Sequence, residues 1–197
     1  MSEADPLREK ILNTALALAE RRSWEALRLH DIALELGITL ADIHRHFREK
    51  EELVDAWFDR ADQAMLAYAA DPALLALSPR ERVQRLLMQW LGTLAAHRRV
   101  TRQMILNKLE PGHLHYIAGG LLRVSRTVQW LREAARRDAT LPRRAIEETA
   151  LTGIYVATFV RWMSDDSQDS AATAALLERL LVGAERFENA FGAVRAS

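Results

Sequence analysis

The sequence predicts an all-α chain. Apolar residues recur at helical spacing along most of its length, as in Ile11, Ala15, Leu18 and Ala19, and no segment of useful length alternates with period two. Its 8 Gly and 5 Pro fall mainly at punctuation points between these stripes. Several stripes open on a cap signal, a residue such as Asp, Ser or Thr followed by proline or by an acid three positions on.

Taken in order, Asp5-Pro6 places a cap residue before a proline at the first helical position and opens a helix over 6–22. The next helix, 29–36, stops at Gly37, where glycine takes the left-handed conformation at little cost. Thr39-Leu40-Ala41-Asp42 has the Thr-x-x-acid spacing of a weak capping box and starts a short helix over 40–46. Leu53, Trp57, Ala61 and Tyr68 mark a helix over 50–70, broken by Asp71-Pro72. Ser78-Pro79-Arg80-Glu81 is a stronger capping box and opens 79–97, with Val83, Leu86, Leu87, Trp90, Leu91 and Leu94 on one stripe. Helices over 99–109 and 113–138 are separated by Pro111-Gly112. Thr140-Leu141-Pro142 opens 142–164, and Asp169-Ser170 opens 170–192 after a polar run. Short helices precede long ones, so the expected organisation is a three-helix unit followed by a six-helix bundle, with domains at 1–55 and 56–197.

The 197 residues are 49% hydrophobic, enough for a sizeable core and too apolar for a disordered chain. With no cysteine, disulfide scaffolds, thiolate zinc sites and cysteine nucleophiles are excluded. Charge interrupts every apolar stretch well short of the roughly 18 residues that span a bilayer, so no transmembrane segment is expected. The start, Met1-Ser2-Glu3-Ala4-Asp5, lacks a basic region followed by an apolar one; a cytoplasmic location without a secretory signal is expected. Net charge is zero but uneven: residues 1–60 carry 9 Lys+Arg against 13 Asp+Glu, and residues 80–144 carry 14 against 4. A phosphate-bearing partner would prefer the middle of the chain.

Helices 29–36 and 40–46, joined at Gly37, have helix-turn-helix spacing. The second is built as a recognition helix must be, with Ile43 and Phe47 facing a core while His44 and Arg45 point outward. The run Ile11-Leu12-x-x-Ala15, Trp24-x-Ala26, Asp31-Ile32-Ala33-x-x-Leu36-Gly37-Ile38-Thr39 and Ile43-x-x-His46-Phe47-x-x-Lys50-Glu51-Glu52-Leu53 resembles the DNA-binding domain of the tetracycline-repressor (TetR) family over about residues 7–55. That resemblance implies a homodimeric repressor or activator, with one recognition helix per half-site of a double-stranded DNA operator and a helical domain that binds a small effector. By position it implies that Thr39, His46 and Lys50 meet phosphates, which fixes register rather than sequence. His30, Leu40, Ala41 and Arg45 take positions that reach base edges, and His44 stands where the family often has tyrosine. Of these, only Arg45 can read guanine bidentately. Leu27-Arg28 and Ala41-Asp42 depart from the family pattern, and an Asp at position 42 repels phosphate unless capping engages it.

The later helices carry Met88, Trp90, Met104, Leu109, Tyr116, Trp130, Tyr155, Phe159 and Trp162. Plain core packing accounts for such residues; so does a hydrophobic tunnel for a flat or lipid-like ligand. Gly119-Gly120 and Gly153 lie inside predicted helices, where each glycine costs about 1 kcal/mol relative to alanine, and they leave room for close approach. His97-Arg98-Arg99, Leu109-Glu110-Pro111, Ile154-Tyr155 and Trp162-Met163-Ser164-Asp165-Asp166-Ser167 resemble the C-terminal region of the TetR-like lipid-binding accessory protein of ubiquinone biosynthesis. That likeness implies, as an alternative, a protein that binds an isoprenoid lipid and not DNA. The chain ends at Ser197 without the amphipathic membrane helix expected to follow.

Helices 142–164 and 170–192 would be antiparallel neighbours, with Leu151, Ala157, Val160, Leu177, Leu181, Ala184 and Phe187 offering apolar stripes to a two-fold partner or to the subunit's own core. No catalytic constellation is present. His44-x-His46 and His113-x-His115 diverge on a helix, Glu147-Glu148 point to different faces, and there is no phosphate-binding glycine loop or nucleophile motif. Neither an enzyme nor a cofactor or metal is expected. The leading expectation is a ligand-responsive, DNA-binding transcriptional regulator.

Overall fold

The computed structural model describes residues 5–108, 114–137 and 143–194, with side chains described for 5–107, 122–137 and 144–188. Within these the helices are α1 (Pro6–Arg21), α2 (Leu29–Leu36), α3 (Leu40–His46), α4 (Lys50–Tyr68), α5 (Pro72–Leu75), α6 (Pro79–Leu94), α7 (Arg98–Lys108), α8 (Leu114–Ala134), α9 (Arg143–Trp162) and α10 (Ala171–Val194). There is no strand among the described residues. The expected helices are all present, with ends shifted by a few residues. The addition is α5: Asp71-Pro72 not only ends α4 but starts a further turn, because the Asp71 carboxylate accepts from the Ala73 N–H at 2.9 Å and proline opens the helix. The cap expected at 140–142 lies outside the described residues.

Three of the sequence signals act locally as expected, at Asp5, Ser78 and Gly37. Asp5 accepts from the N–H groups of Leu7 and Arg8. Ser78 and Glu81 form a reciprocal box, with the Ser78 N–H donating to Glu81 at 2.9 Å and the Glu81 N–H to the Ser78 hydroxyl at 3.3 Å. Gly37 closes α2 at φ +65° and ψ +33°. Where α10 begins, the expected opening at Asp169-Ser170 is not the cap: those residues form a short turn (Gln168–Ser170) with Asp169 at φ +51°, and Asp165 and Ser167 supply the cap instead. The Asp165 carboxylate accepts from the Thr173 N–H at 2.7 Å and the Ser167 N–H at 3.0 Å, and the Ser167 hydroxyl accepts from the Ala172 N–H at 3.0 Å.

The chain forms two compact units, Met1–Ala61 with Leu94–Ile117, and Asp62–Thr93 with Ala118–Ser197. In the first, α1 buries Ile11, Leu12, Ala15, Leu16, Leu18 and Ala19, and the first part of α4 buries Leu53, Val54 and Trp57. The Trp57 indole donates to Thr101 of α7 at 2.9 Å, and Arg60 joins Glu9 and Asn13 of α1 at 2.7 and 2.8 Å. In the second unit α6, α9 and α10 supply the core through Leu86, Leu87, Trp90, Leu151, Phe159, Leu177 and Leu181. Leu151, Leu177 and Leu181 therefore serve the subunit itself. Ile146, Val156, Ala157 and Val160 of α9 and Phe187 of α10 stay exposed.

Candidate nucleic-acid interface

The turn between α2 and α3 sets the interface. With Gly37 left-handed, the chain leaves α2 and re-enters a helix three residues later at Leu40. Thr39 caps α3, and both halves of its capping box form. The Asp42 N–H donates to the Thr39 hydroxyl at 3.1 Å, and the Thr39 N–H donates to Asp42 Oδ2 at 2.8 Å. The Thr39 hydroxyl also donates to Asp42 Oδ2, at 2.7 Å. Those bonds, hydroxyl first, hold the Asp42 carboxyl below the usual carboxylate range, so it is charged near neutrality. Its other oxygen, Oδ1, is paired with Nη2 of Arg45. Asp42 is thus engaged in capping.

The back of α3 is anchored by Ile43 and Phe47, both buried. Beside α3 lies an open groove of about 690 Å³ lined by Leu29, Leu40, Ala41, Ile43, His44, Arg45, Phe47 and Arg48. Leu40 is half exposed, the Arg45 side chain is 70% exposed, and His30 stands exposed near the start of α2, 3.7 Å from Asp31. The other two positions are held inward. His46 Nδ1 lies 2.9 Å from Asp5, which ties the end of α3 to the start of α1. The Lys50 ammonium donates to the carbonyls of Trp24 and Leu27, the latter at 2.8 Å, and sits 4.8 Å above the Trp24 ring. Burial is the main reason its pKa is lowered. Arg28, which stands where the helix-2 cap belongs, has no acceptor to offer. The cap is made in reverse, the Arg28 N–H donating to Asp31 at 3.0 Å, with Arg22 on the same carboxylate at 3.1 Å.

The second unit gathers part of the aromatic set. Trp90 meets Tyr155 and Phe159 edge-on at 5.3 and 5.7 Å, and Phe159 stacks on Tyr155 and Trp162 at 6.2 and 5.8 Å. All four are buried. Met88 lies apart, in a small groove with Leu77, Gln84, Arg85 and Ala174. Trp130 is half exposed, and Met104 is buried in the first unit. Leu109 and the Tyr116 side chain lie outside the described residues, as do the surroundings of Gly119 and Gly120.

Sequence reasoning missed the polar head of this cluster. Buried Asp62 accepts from the Trp90 indole at 2.7 Å, the Thr127 hydroxyl at 3.1 Å and Arg123 at 3.2 Å. Burial above all, and then the charge on Asp62, pushes the Tyr155 phenol far above its ordinary value. A signal existed: Asp62 stands four residues after Phe58 and three before Met65, on the buried face of α4. No group of three or more His, Cys, Asp or Glu able to hold a metal occurs among the described residues, and no described helix is long and apolar enough to cross a membrane.

The family model for bacterial regulatory proteins of the tetR family matches residues 11–57. A solved TetR transcriptional regulator from Nitrosomonas europaea ATCC 19718 is 50% identical, covering 92% of this chain and 99% of its own, with a TM-score of 0.83. The chain belongs to the TetR family of transcriptional regulators. More distant TetR regulators share the fold: one from Rhodococcus sp. RHA1 is 20% identical over 91% of this chain and 96% of its own, with a TM-score of 0.67. One of the TetR/AcrR family from Thermobifida fusca YX-ER1 is 23% identical over 90% and 97%, with a TM-score of 0.55. No curated protein matches the chain. The COQ9 family model matches residues 147–188, a stretch that in this TetR regulator runs from Glu147 on α9 through the Asp165 cap into α10. In that stretch Asp165 and Ser167 serve the start of a helix.

Proposed function

We propose that this TetR-family regulator binds an operator as a homodimer and releases or engages it in response to a small hydrophobic effector. The observation that carries the reading is the setting of α3, its Ile43 and Phe47 buried and its Leu40, His44 and Arg45 presented on an open groove. Residues 1–55 read DNA. In this reading His30, Leu40, Ala41 and Arg45 reach base edges, His44 meets DNA from the position where the family often has tyrosine, and Thr39, His46 and Lys50 fix the pose. Residues 56–197 bind the effector against the aromatic cluster and make the dimer. Supporting the dimer, α9 exposes Ile146, Val156 and Val160, α10 exposes Phe187, and a Cβ added at Gly153 or Gly183 meets nothing within 4 Å. Helical glycines that the subunit does not need suit a second helix packed closely over them. Such a regulator works in the cytoplasm, and we assign it no reaction.

Fluorescence anisotropy with duplex DNA from upstream of its own gene, against scrambled DNA at two salt concentrations, tests the reading. Selective binding that weakens steeply with salt is expected; undetectable or salt-independent binding overturns it. Sedimentation should give a dimer that Phe187→Glu converts to a folded monomer. A second reading, an isoprenoid-lipid accessory protein that does not bind DNA, is favoured by the COQ9 match alone. Stoichiometric lipid on the purified chain without DNA affinity would establish it.

A further inference from the structure

Arg45 is the one side chain on the recognition helix able to read guanine with two parallel hydrogen bonds, yet it is paired with a carboxylate of its own helix. Two explanations of that pairing differ in consequence. Asp42 could simply cancel the charge of Arg45, or it could aim it. On the DNA-binding reading, we infer that Asp42 is a positioning residue, holding the Arg45 guanidinium in one orientation from which it reads a single guanine in each half-site.

Three observations favour aiming. Asp42 is itself fixed: Oδ2 takes the Thr39 N–H and hydroxyl at 2.8 and 2.7 Å, leaving Oδ1 for the guanidinium. The chain Thr39–Asp42–Arg45 therefore runs from the helix cap to the exposed tip without a free rotor at its middle. The guanidinium has five N–H donors in a rigid fork; pairing at Nη2 leaves enough for the two acceptors of guanine. Third, the Arg45 side chain is 70% exposed, and the groove it lines holds apolar residues together with His44 and Arg48 but no acid, so Asp42 is the carboxylate that fixes a long side chain which packing leaves exposed. Ordering it before binding reduces the entropy lost when DNA arrives. The pair is neutral, so it supports choice of base and not general attraction to phosphate.

The test uses the full-length chain and a library of randomised duplexes. First, the sequence preferred by the unsubstituted protein is selected; then binding to that duplex, to a version with the guanine replaced and to scrambled DNA is measured at two salt concentrations. Arg45→Ala identifies the guanine by losing about tenfold discrimination at one base pair. Asp42→Glu keeps the charge and keeps a residue suited to the capping box, but moves the carboxylate by one methylene. It is expected to lose most of that same discrimination while scrambled DNA binds as before with an unchanged salt slope. Asp42→Asn should lose the discrimination and bind scrambled DNA more tightly, because an acid has gone. Circular dichroism and a denaturation midpoint near that of the unsubstituted chain confirm that both variants are folded. If both bind more tightly or equally and keep the guanine preference, Asp42 only neutralises Arg45 and the inference is overturned. If the unsubstituted chain selects no sequence at all, the DNA-binding reading fails and this assignment fails with it.

Discussion

The recognition helix and the head of the aromatic cluster each centre on an aspartate with several donors, and they are built in opposite ways. Asp42 takes its partners from Thr39 and Arg45, within three residues on either side, at a site open to water. Asp62 takes Trp90, Arg123 and Thr127 from 28, 61 and 65 residues away, and is buried. Water competes for every bond at the first site, so each of them adds little to the stability of the fold and serves mainly to order the side chains it joins. At the second, water is excluded, and losing the acceptor takes a bond from three donors together. Local capping geometry makes an interface that is ordered before it binds; long-range burial makes a joint that holds α4, α6 and α8 in one arrangement.

The sharpest way to break this contrast is to remove the buried acid. Asp62→Ala should destabilise the protein by about 3–5 kcal/mol, because a buried ion pair with Arg123 and the acceptor for Trp90 and Thr127 go at once. Urea denaturation followed by tryptophan fluorescence measures it. A loss below about 1 kcal/mol would mean that the site hydrates, and the two aspartates would then differ in position only. Asp62→Asn, which keeps an acceptor for Trp90, should lose less.

Asp165 extends the comparison to a cap that is buried. Burial raises its carboxyl, but hydrogen bonds from Ser167 and Thr173 outweigh burial and leave it well below the ordinary range. A folded-state pKa below the unfolded value of about 3.9 gives stability that is full above that value and is lost as pH falls through and beneath it. The denaturation midpoint should therefore hold from pH 7 to about 5 and fall below about pH 4. Asp165→Ala should lose about 1–3 kcal/mol at pH 7 and show a flatter acid limb. An unchanged acid limb in the variant would assign acid sensitivity to other carboxyls.

These same residues explain what was legible in the sequence. The start at Asp5 could be read because a cap residue precedes a proline, those at Thr39 and Ser78 because a capping box joins positions three apart, and the turn at Gly37 because one residue type suits a left-handed φ. The inward faces of Ile43 and Phe47 follow from helical period alone. Asp62 was not legible as a hub, since nothing in a linear pattern pairs residue 62 with 90, 123 and 127. Of the aromatic candidates, Trp90, Tyr155, Phe159 and Trp162 come together while Trp130 faces solvent, because hydrophobicity sets a tendency to bury and topology decides which side chain finds space. The Trp162–Ser167 stretch, which resembles a lipid-binding protein in sequence, contains the cap of α10, a role visible only once Asp165 meets Thr173.

Lys50 sharpens the comparison from the side of the interface. Its ammonium is on carbonyls of the 24–27 turn, so it orders the interface from behind. Lys50→Ala should destabilise by about 1 kcal/mol, the value of a charge-assisted bond reduced for partial exposure. It should weaken DNA binding alike for all sequences. The salt slope measured by anisotropy should change by clearly less than one; a fall of about one unit would place the ammonium on a phosphate instead.

The smallest effect belongs to Arg21 and Glu35, an ion pair of 2.8 Å between α1 and α2 with both side chains about half exposed. It has the same chemistry as Arg123 with Asp62 at 3.2 Å, and only its surroundings differ. A double-mutant cycle on Arg21 and Glu35 should return a coupling of about 0.2–1 kcal/mol that fades in high salt, since water and ions replace each partner readily. The equivalent cycle on Arg123 and Asp62 should give a larger coupling that salt barely moves. Glu35→Gln adds a second readout at almost no cost in stability. On the DNA-binding reading, removing an acid from the helix-turn-helix should raise affinity for all duplexes slightly and equally, whereas a gain confined to one sequence would make Glu35 part of the base-reading surface.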